Sequence, residues 1–493
     1  MRRRPRSFVV LFTPIVLAIA LAQVPTGVAA AKTYNLPELL DLARKNNPGL
    51  AAGARATQKV EAQLSEANRS WMPTGEVVSL LAPVPEVRCE QIPGLNVKPS
   101  DYCIRTNVTE TSTKFSGLFT RTELHLVQPV FTFGKITAGR NAATRGVAAS
   151  KSQEQGLAAD LALNVRRAYY GIKLGRAVLE TFEEGIGYLD DAQKHVDKAL
   201  ADGTGDVTQT DRLRLKTVRA EIDVRRLETE RLSGEARAGL RALVGQDAPA
   251  EIEVDAEPLD ALEVPERPLA YYQEQARLQR PEVHALENLV AVKRSLADLE
   301  RSKQYPDLVL LGSATYARAN SIDDPQSAFA NDPFNVASVG LAAAVRLPID
   351  LGVRNARAAQ AAAEAEETDL RRRDALGGIT FDVARAYGAL EEARKRLTAV
   401  RGGERAAQAW ITAVKQNFDT GLAETKDFQD ALVAFFQFRV RVLQAEFDLN
   451  IAAATLGRAT GIEVTTPADG KSAAADRDDA RASVHAGASD AEK

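Results

Sequence analysis

The chain has 493 residues, 63 basic and 66 acidic side chains, a formal charge of −3, two cysteines and four histidines. That balance, with no basic patch interleaved with aromatic residues, argues against nucleic acid as a partner. His125, His195, His284 and His485 share no metal-ligand spacing, and neither a nucleophile elbow nor a phosphate loop occurs, so no enzyme, metal site or cofactor is expected.

Arg2, Arg3, Arg4 and Arg6 precede an apolar run, Phe8–Ala22, and small residues Val28 to Ala31. This reads as a secretory signal over residues 1–31; a single membrane anchor is the alternative, though the run is short for a span. Cleavage removes those four arginines and no acid, which takes the formal charge from −3 to −7. No later segment has the apolar length of a transmembrane helix. If the exported chain enters a membrane, it does so through strands.

The next element is a helix from about Leu36 to Trp71, with Pro48 near its start and Pro73 after it. A matching helix runs from about Leu269 to Tyr305, with Pro281 and Pro306 at an offset of 233 residues in both cases. Each is followed by two segments of period two. In Gly117–Gln128, Leu118, Thr120, Thr122, Leu124 and Leu126 alternate with Phe119, Arg121, Glu123, His125 and Val127. In the second half Val339, Leu341, Ala343, Val345 and Leu347 alternate with Ser338, Gly340, Ala342, Ala344 and Arg346. Their partners are placed at Glu76–Ala82 and Leu308–Arg318. Segments of about ten residues suit membrane-barrel strands, and a soluble hairpin pair on helices is the alternative. The loops Pro83–Thr113 and Asn320–Pro333 belong on an exposed end. The first holds Cys89 and Cys103, which form either a local disulfide or two free thiols.

Pro129 and Pro348 then open proline-free runs, residues 130–248 and 349–466, with similar entries: Q-P-V-F-T-F-G at Gln128–Gly134 and L-P-I-D-L-G at Leu347–Gly352. Aligning Gly134 with Gly352 superposes V-R-R-A-Y (Val165–Tyr169) on V-A-R-A-Y (Val383–Tyr387) without a gap. Interior proline costs a helix about 3 kcal/mol, so both runs read as long helices. Gly134 to Leu200 would span roughly 100 Å. In the second run Leu376, Ile379, Val383, Ala386, Leu390, Ala393, Leu397 and Val400 keep 3-4 spacing, continued by Ala407, Ile411, Val414 and Phe418. This predicts a left-handed seam with a neighbouring helix. Both helices turn near a glycine and an acid, Gly205–Asp211 and Gly421–Asp427, and a returning helix follows each. The chain is a duplicated helix–strand–strand–long-helix–helix unit. Its divisions are a first repeat 32–248, a linker 249–268, a second repeat 269–465 and a disordered tail 466–493. Four strands cannot close a barrel and open edges are not tolerated in lipid, so either the strands lie outside a membrane or several copies pool them.

The signal, the start Y-N-L-P-E-L-L-D-L-A-R-K-N-N-P (Tyr34–Pro48), the Q-P-V-F-T-F-G entry, the R-A-Y motifs and the duplicated G-x5-D turns resemble the TolC-like outer membrane factor family. The resemblance runs from about Tyr34 to Gly461. It implies a mainly α fold with a small membrane β-barrel, assembled as a homotrimer with a 12-stranded β-barrel and a 12-helix periplasmic α-barrel. It also implies the exit duct of a tripartite efflux pump or a type I secretion system. The protein would then sit in outer membrane lipid with a periplasmic extension, partnered by a periplasmic adaptor protein and an inner-membrane transporter.

At the periplasmic end the resemblance marks Asp427 and Asp430 as a ring of acids, one helical turn apart; Asp427 alternatively only starts its helix. Thr210 and Asp211 match the first-half latch. Phe418 and Ala423 stand where the family often has tyrosine and arginine, so the usual polar latch is missing and Phe418 is a candidate for apolar closure. Lys426 is a candidate replacement for the missing charge. Alternation marks Arg121, Glu123, His125 and Arg346 for the barrel lumen, or else an ordinary strand surface. The tips Gly203–Thr208 and Gly421–Thr425 are candidates for adaptor docking. A periplasmic coiled-coil scaffold without a channel is the rival reading. Metal-ion export is a third, which no Met- or His-rich stretch supports.

Overall fold

The structure is a computed structural model and describes residues 32–87, 94, 117–203, 207–245, 249, 252–324, 332–419 and 424–464. The signal segment, the tail and both cysteines, Cys89 and Cys103, lie outside these residues.

The first half runs β1 (Thr33–Tyr34), α1 (Leu36–Asn46), α2 (Pro48–Arg69), β2 (Thr74–Val84), β3 (Gly117–Phe131), α3 (Lys135–Asp202) and α4 (Gln209–Val244). After β4 (Glu253–Val254) the second half repeats it as α5 (Leu269–Gln279), α6 (Pro281–Ser302), β5 (Asp307–Ala319), β6 (Val336–Arg346), α7 (Leu351–Asp419) and α8 (Thr425–Thr460). One expectation needs correction: the helices placed at 36–71 and 269–305 are each two helices. Asn47 and Arg280, the residues before Pro48 and Pro281, adopt extended ψ angles of 119° and 123°. Proline's ring crowds the preceding residue out of the α region, so each helix stops and restarts there.

The four long strands form one antiparallel sheet in the order β2-β3-β5-β6, which among the described residues leaves β2 and β6 as unpaired edges. The middle pairing joins the two repeats, with Arg121 opposite Ala317 and His125 opposite Ser313. At the foot of the sheet Phe133 (φ 48°) and Gly134 (φ 90°) make the corner from β3 into α3. Lys135 on α3 donates to Asp307 at the start of β5, at 2.7 Å.

Below the sheet the helices share three apolar clusters. One gathers α1, α3, the end of α4 and β4, around Leu39, Val165, Ile172 and Leu240. A second gathers α5, α7 and α8 with Val283 of α6, and contains Ile379, Val383, Ala386, Leu390, Ala393 and Leu397 of the predicted seam. The third joins α3, α4, α7 and α8 near their turns. Close helix approach is built in: a side chain at Gly403 of α7 would stand 2.3 Å from the ring of Phe438 on α8.

Both returning helices end at a glycine with positive φ, Gly245 (98°) and Gly461 (76°). Each is pressed against the equivalent helix joint. A Cβ at Gly245 would lie 2.3 Å from the carbonyl oxygen of Asn46, and one at Gly461 would lie 2.7 Å from that of Gln279. Only glycine fits both the angle and the space.

Candidate channel site

The register decides what the two faces of the sheet carry. Residues directly opposite in a ladder share a face. Through the pairs Glu76 with His125, Leu80 with Arg121, Arg121 with Ala317, and Asp307 with Arg346, one face collects Glu76, Arg121, Glu123, His125, Asp307 and Arg346. Arg121 pairs with Glu123, whose carboxylate is 3.8 Å from His125 Nε2. All four residues expected in a lumen therefore stand on one face.

The opposite face carries Val77, Leu81, Leu124, Leu126, Leu310, Tyr316, Val339, Leu341 and Val345. Val339 is 89 % exposed and Leu341 80 %. Water gives such a surface no reason to stand open, and lipid does. Strands of 11 to 15 residues have the length a tilted membrane strand needs. At the helical end of the sheet Trp71, Phe131, Phe133 and Tyr305 are exposed, and the rings of Phe133 and Tyr305 stack at 5.9 Å. Gln128 Nε2 donates to the Trp71 carbonyl at 2.7 Å. An aromatic girdle of this kind marks a membrane–water boundary. Alternation alone does not reveal it, because its members come from three separate corners.

About 100 Å away, by the rise of α3 and α7, lie the two turns. Leu189, Val196, Leu215, Ala407, Ile411, Phe428 and Leu432 pack together there, so the ends of all four helices form one unit. Thr210 is exposed at the start of α4. Asp211 is committed locally: its carboxylate accepts from the backbone N–H of Thr208 at 2.9 Å and from the Thr208 hydroxyl at 2.7 Å, while Thr208 Oγ1 accepts from Asp211 N–H. This is a reciprocal cap. The Thr208 hydroxyl bond holds the Asp211 carboxyl below its ordinary range. The T-x-x-D spacing is visible in the sequence and could have shown this.

Asp427, in the first turn of α8, and Asp430 are both exposed, flanking buried Phe428. Phe418 lies in the last turn of α7 with its side chain outside the described atoms, and Ala423 falls outside the described residues. Lys426 is exposed beside Asp427. Further up, α4 and α8 part over α3 and leave a cavity of about 320 Å³. Phe182 and Gly185 floor it, Ile222 and Phe436 flank it, and Glu221, Arg225 and Arg441 rim it.

Among the described residues no helix is long and apolar enough to cross a membrane, and no group of three His, Cys, Asp or Glu side chains could hold a metal ion. A four-stranded sheet with one apolar exposed face, carried on paired helices of this length, has the build of an outer membrane channel protomer.

Comparison with known proteins agrees. Residues 273–462 match the family model described as outer membrane efflux protein. The chain is 25% identical over 476 residues to the cobalt-zinc-cadmium resistance protein CzcC of Cupriavidus metallidurans, covering 92% of this chain and 99% of CzcC. Its fold is similar to the CmeC outer membrane channel of Campylobacter jejuni (TM-score 0.68, 15% identity, 88% of this chain and 87% of that one). It is also similar to the open state of the MtrE outer membrane channel of Neisseria gonorrhoeae (TM-score 0.66, 17% identity, 87% and 89%). The second half of the chain thus matches the outer membrane efflux protein model, and the chain as a whole has the fold of these channels.

Proposed function

We propose that this chain is the exit duct of a tripartite efflux pump, seated in the outer membrane and reaching through the periplasm. The observation that carries the reading is the sheet, with an apolar exposed face and two unpaired edges. Lipid does not tolerate open edges, so β2 of one copy pairs with β6 of the next. Three copies give twelve strands and, below them, a tube of twelve long helix segments. The scaffold reading leaves the apolar face and the aromatic girdle without a purpose.

In the trimer Arg121, Glu123, His125 and Arg346 line the barrel lumen and tune its polarity. Asp427 and Asp430, one turn apart and exposed, recur three times around the axis and concentrate negative potential at the periplasmic mouth. Thr210, exposed at the start of α4, is the first-half residue of the same mouth, while Asp211 holds the start of α4 and contributes to the mouth only through that shape. Phe418 closes the mouth by apolar contact in place of the missing polar latch. The helix turns and the cavity between α4 and α8 offer the adaptor its footing, and the adaptor brings the inner-membrane transporter. The residue divisions of the repeats and the linker follow the same scheme.

CzcC is named for cobalt, zinc and cadmium resistance, which makes divalent metal ions the first cargo to test. The duct would pass such ions without binding them.

Purified protein in planar bilayers is expected to give discrete cation-preferring conductance. Asp427→Ala with Asp430→Ala is expected to weaken block by divalent cations. Unchanged block in the double variant removes the acid ring and leaves the duct standing. Release of the wild-type protein from membranes by carbonate, with no conductance, removes the duct.

A further inference from the structure

The charged face of the sheet is not open along its whole length. At the end away from the helices its residues are buried, while those of the opposite face are not. Phe119 is 7 % exposed, and Leu118, its neighbour on the other face, is 47 % exposed. Register extends this across the strands. Val84 lies opposite Gly117, Ala319 opposite Phe119 and Ala317 opposite Arg121, so all of them share the face of Arg121. Val84, Phe119, Ala317 and Ala319 are buried in one apolar cluster with Ile322, and Val87 and Phe334 pack against it.

Side chains standing on one face of a sheet do not bury one another unaided. The cover comes from the chain just beyond the strand ends, in both repeats. Val87 N–H donates to the Ser321 carbonyl at 2.9 Å and Asp323 N–H to the Val87 carbonyl at 3.1 Å, which pairs Val87 with Ile322 in a parallel bridge. The Ser321 hydroxyl donates to the Pro85 carbonyl at 3.2 Å. Asn335 holds the other side: its Nδ2 donates to the Ile322 carbonyl at 3.2 Å and to Asp332 at 3.0 Å, and its Oδ1 accepts from Ala319 N–H at 3.1 Å. The ring of Phe334 meets that of Phe119 edge-on at 5.4 Å. Gly117 shows how closely the cover lies, since a Cβ there would stand 1.6 Å from Ser321 Oγ. A cover that only finished the strand ends would have no reason to prefer a face. This one lies on the face of Arg121, Glu123 and His125, and begins two residues beyond Arg121.

We propose that Phe119, Ile322 and Phe334, with Val87, form an apolar collar inside the outer end of the barrel, and that this collar sets the size limit at the exit. The proposal rests on the duct reading. Three copies repeat the collar around the axis, directly above the charged residues of the lumen. An apolar constriction offers a passing solute no replacement for its water, so its bore decides what leaves and what enters from outside.

The test is labelling of intact cells from outside with two thiol reagents, a small charged methanethiosulfonate and a polymer-linked maleimide. Labelling is read residue by residue from peptide masses, so Cys89 and Cys103 stay in place. Ser313→Cys lies on the lumen face below the collar, opposite His125, and Ala314→Cys beside it lies on the apolar face. Relative to free cysteine, Ser313→Cys is expected to react about tenfold more slowly with the polymer reagent than with the small one. Phe334→Ala with Ile322→Ala is expected to remove most of that difference by speeding the polymer reagent. Equal reaction with both reagents in the unaltered collar overturns the proposal, and so does a difference that the double variant leaves unchanged. Should the double variant not reach the membrane, Phe334→Ala alone decides by the same measure. Ala314→Cys reacting as fast as Ser313→Cys places both faces in water and removes the duct reading. Protected Ala314→Cys, with Ser313→Cys open to the polymer reagent, removes only the collar.

Discussion

The two repeats share a backbone and differ in how they finish it. At the joint before the second helix, the first repeat has Asn47, whose side chain accepts from Leu50 N–H at 3.0 Å and donates to the Leu243 carbonyl at 2.7 Å. The second has Arg280, which caps nothing and instead pairs with Glu282 and Asp382. At the turns, the reciprocal cap of Thr208 and Asp211 is answered by Glu424, which makes no side-chain cap bond, and Asp427. The prolines and terminal glycines, by contrast, serve the same purpose in both halves. Backbone angles have few chemical solutions, whereas a helix start can be satisfied by a hydroxyl, a carboxylate or water.

That comparison can be broken hardest at the glycines. Gly245→Val and Gly461→Val are each expected to cost about 3 kcal/mol, from positive φ together with a Cβ forced onto a carbonyl. Thermal melting measures this, and equal losses in the two repeats are the expected sign of a shared constraint. Next come the joints. Asn47→Ala is expected to cost about 1–2 kcal/mol by losing a cap and leaving the Leu243 carbonyl unanswered. Asn47→Asp should recover part of this by keeping the cap bond.

The turns come third. Thr208→Ala is expected to cost about 1 kcal/mol, and Glu424→Thr to return about half as much to the second repeat by making a T-x-x-D start. Hydrogen exchange in the first turns of α4 and α8 reads both, and a neutral Thr208→Ala would remove the contrast.

The smallest effect is in pH. Asp211 is held below the ordinary carboxylate range, so its contribution is complete above that range and lost as pH falls through the lowered value. Glu446 on α8 lies the other way. Burial outweighs its pairing with Arg401 at 2.7 Å and pushes its carboxyl up. Its ionised form is thus a cost above the raised value, relieved as pH falls through it. Mild acid is therefore expected to favour the second repeat before stronger acid frays the first. Melting of Glu446→Gln and Asp211→Asn across pH 3 to 7 separates the two, and parallel curves for wild type and both variants would contradict the opposed signs.

Much of this was legible in the sequence. The strand positions agree with period two to within a few residues, and Ile379, Val383, Leu390 and Leu397 line the seam their spacing predicts. The lumen candidates Arg121, Glu123 and His125 share a face because alternation within one strand is a local rule. Arg346 joins them only through the register of two ladders. The split at Pro48 and Pro281 was readable and the single helix was the wrong inference, since proline acts on the residue before it. The buried pair of Lys173 and Asp255 at 2.7 Å, with the Tyr169 hydroxyl also donating to Asp255, had no signal in composition or spacing.

By itself the sequence determined the duplicated unit, the period of every long element and the places where the backbone must turn, because these depend on residues close together in the chain. Tertiary structure decided which sheet face is apolar across four strands, where the aromatic girdle closes and how Val87, Ile322 and Phe334 come to cover the other face at its outer end. Those depend on ladder register and on backbone carbonyls as acceptors, and a carbonyl is the same in every residue.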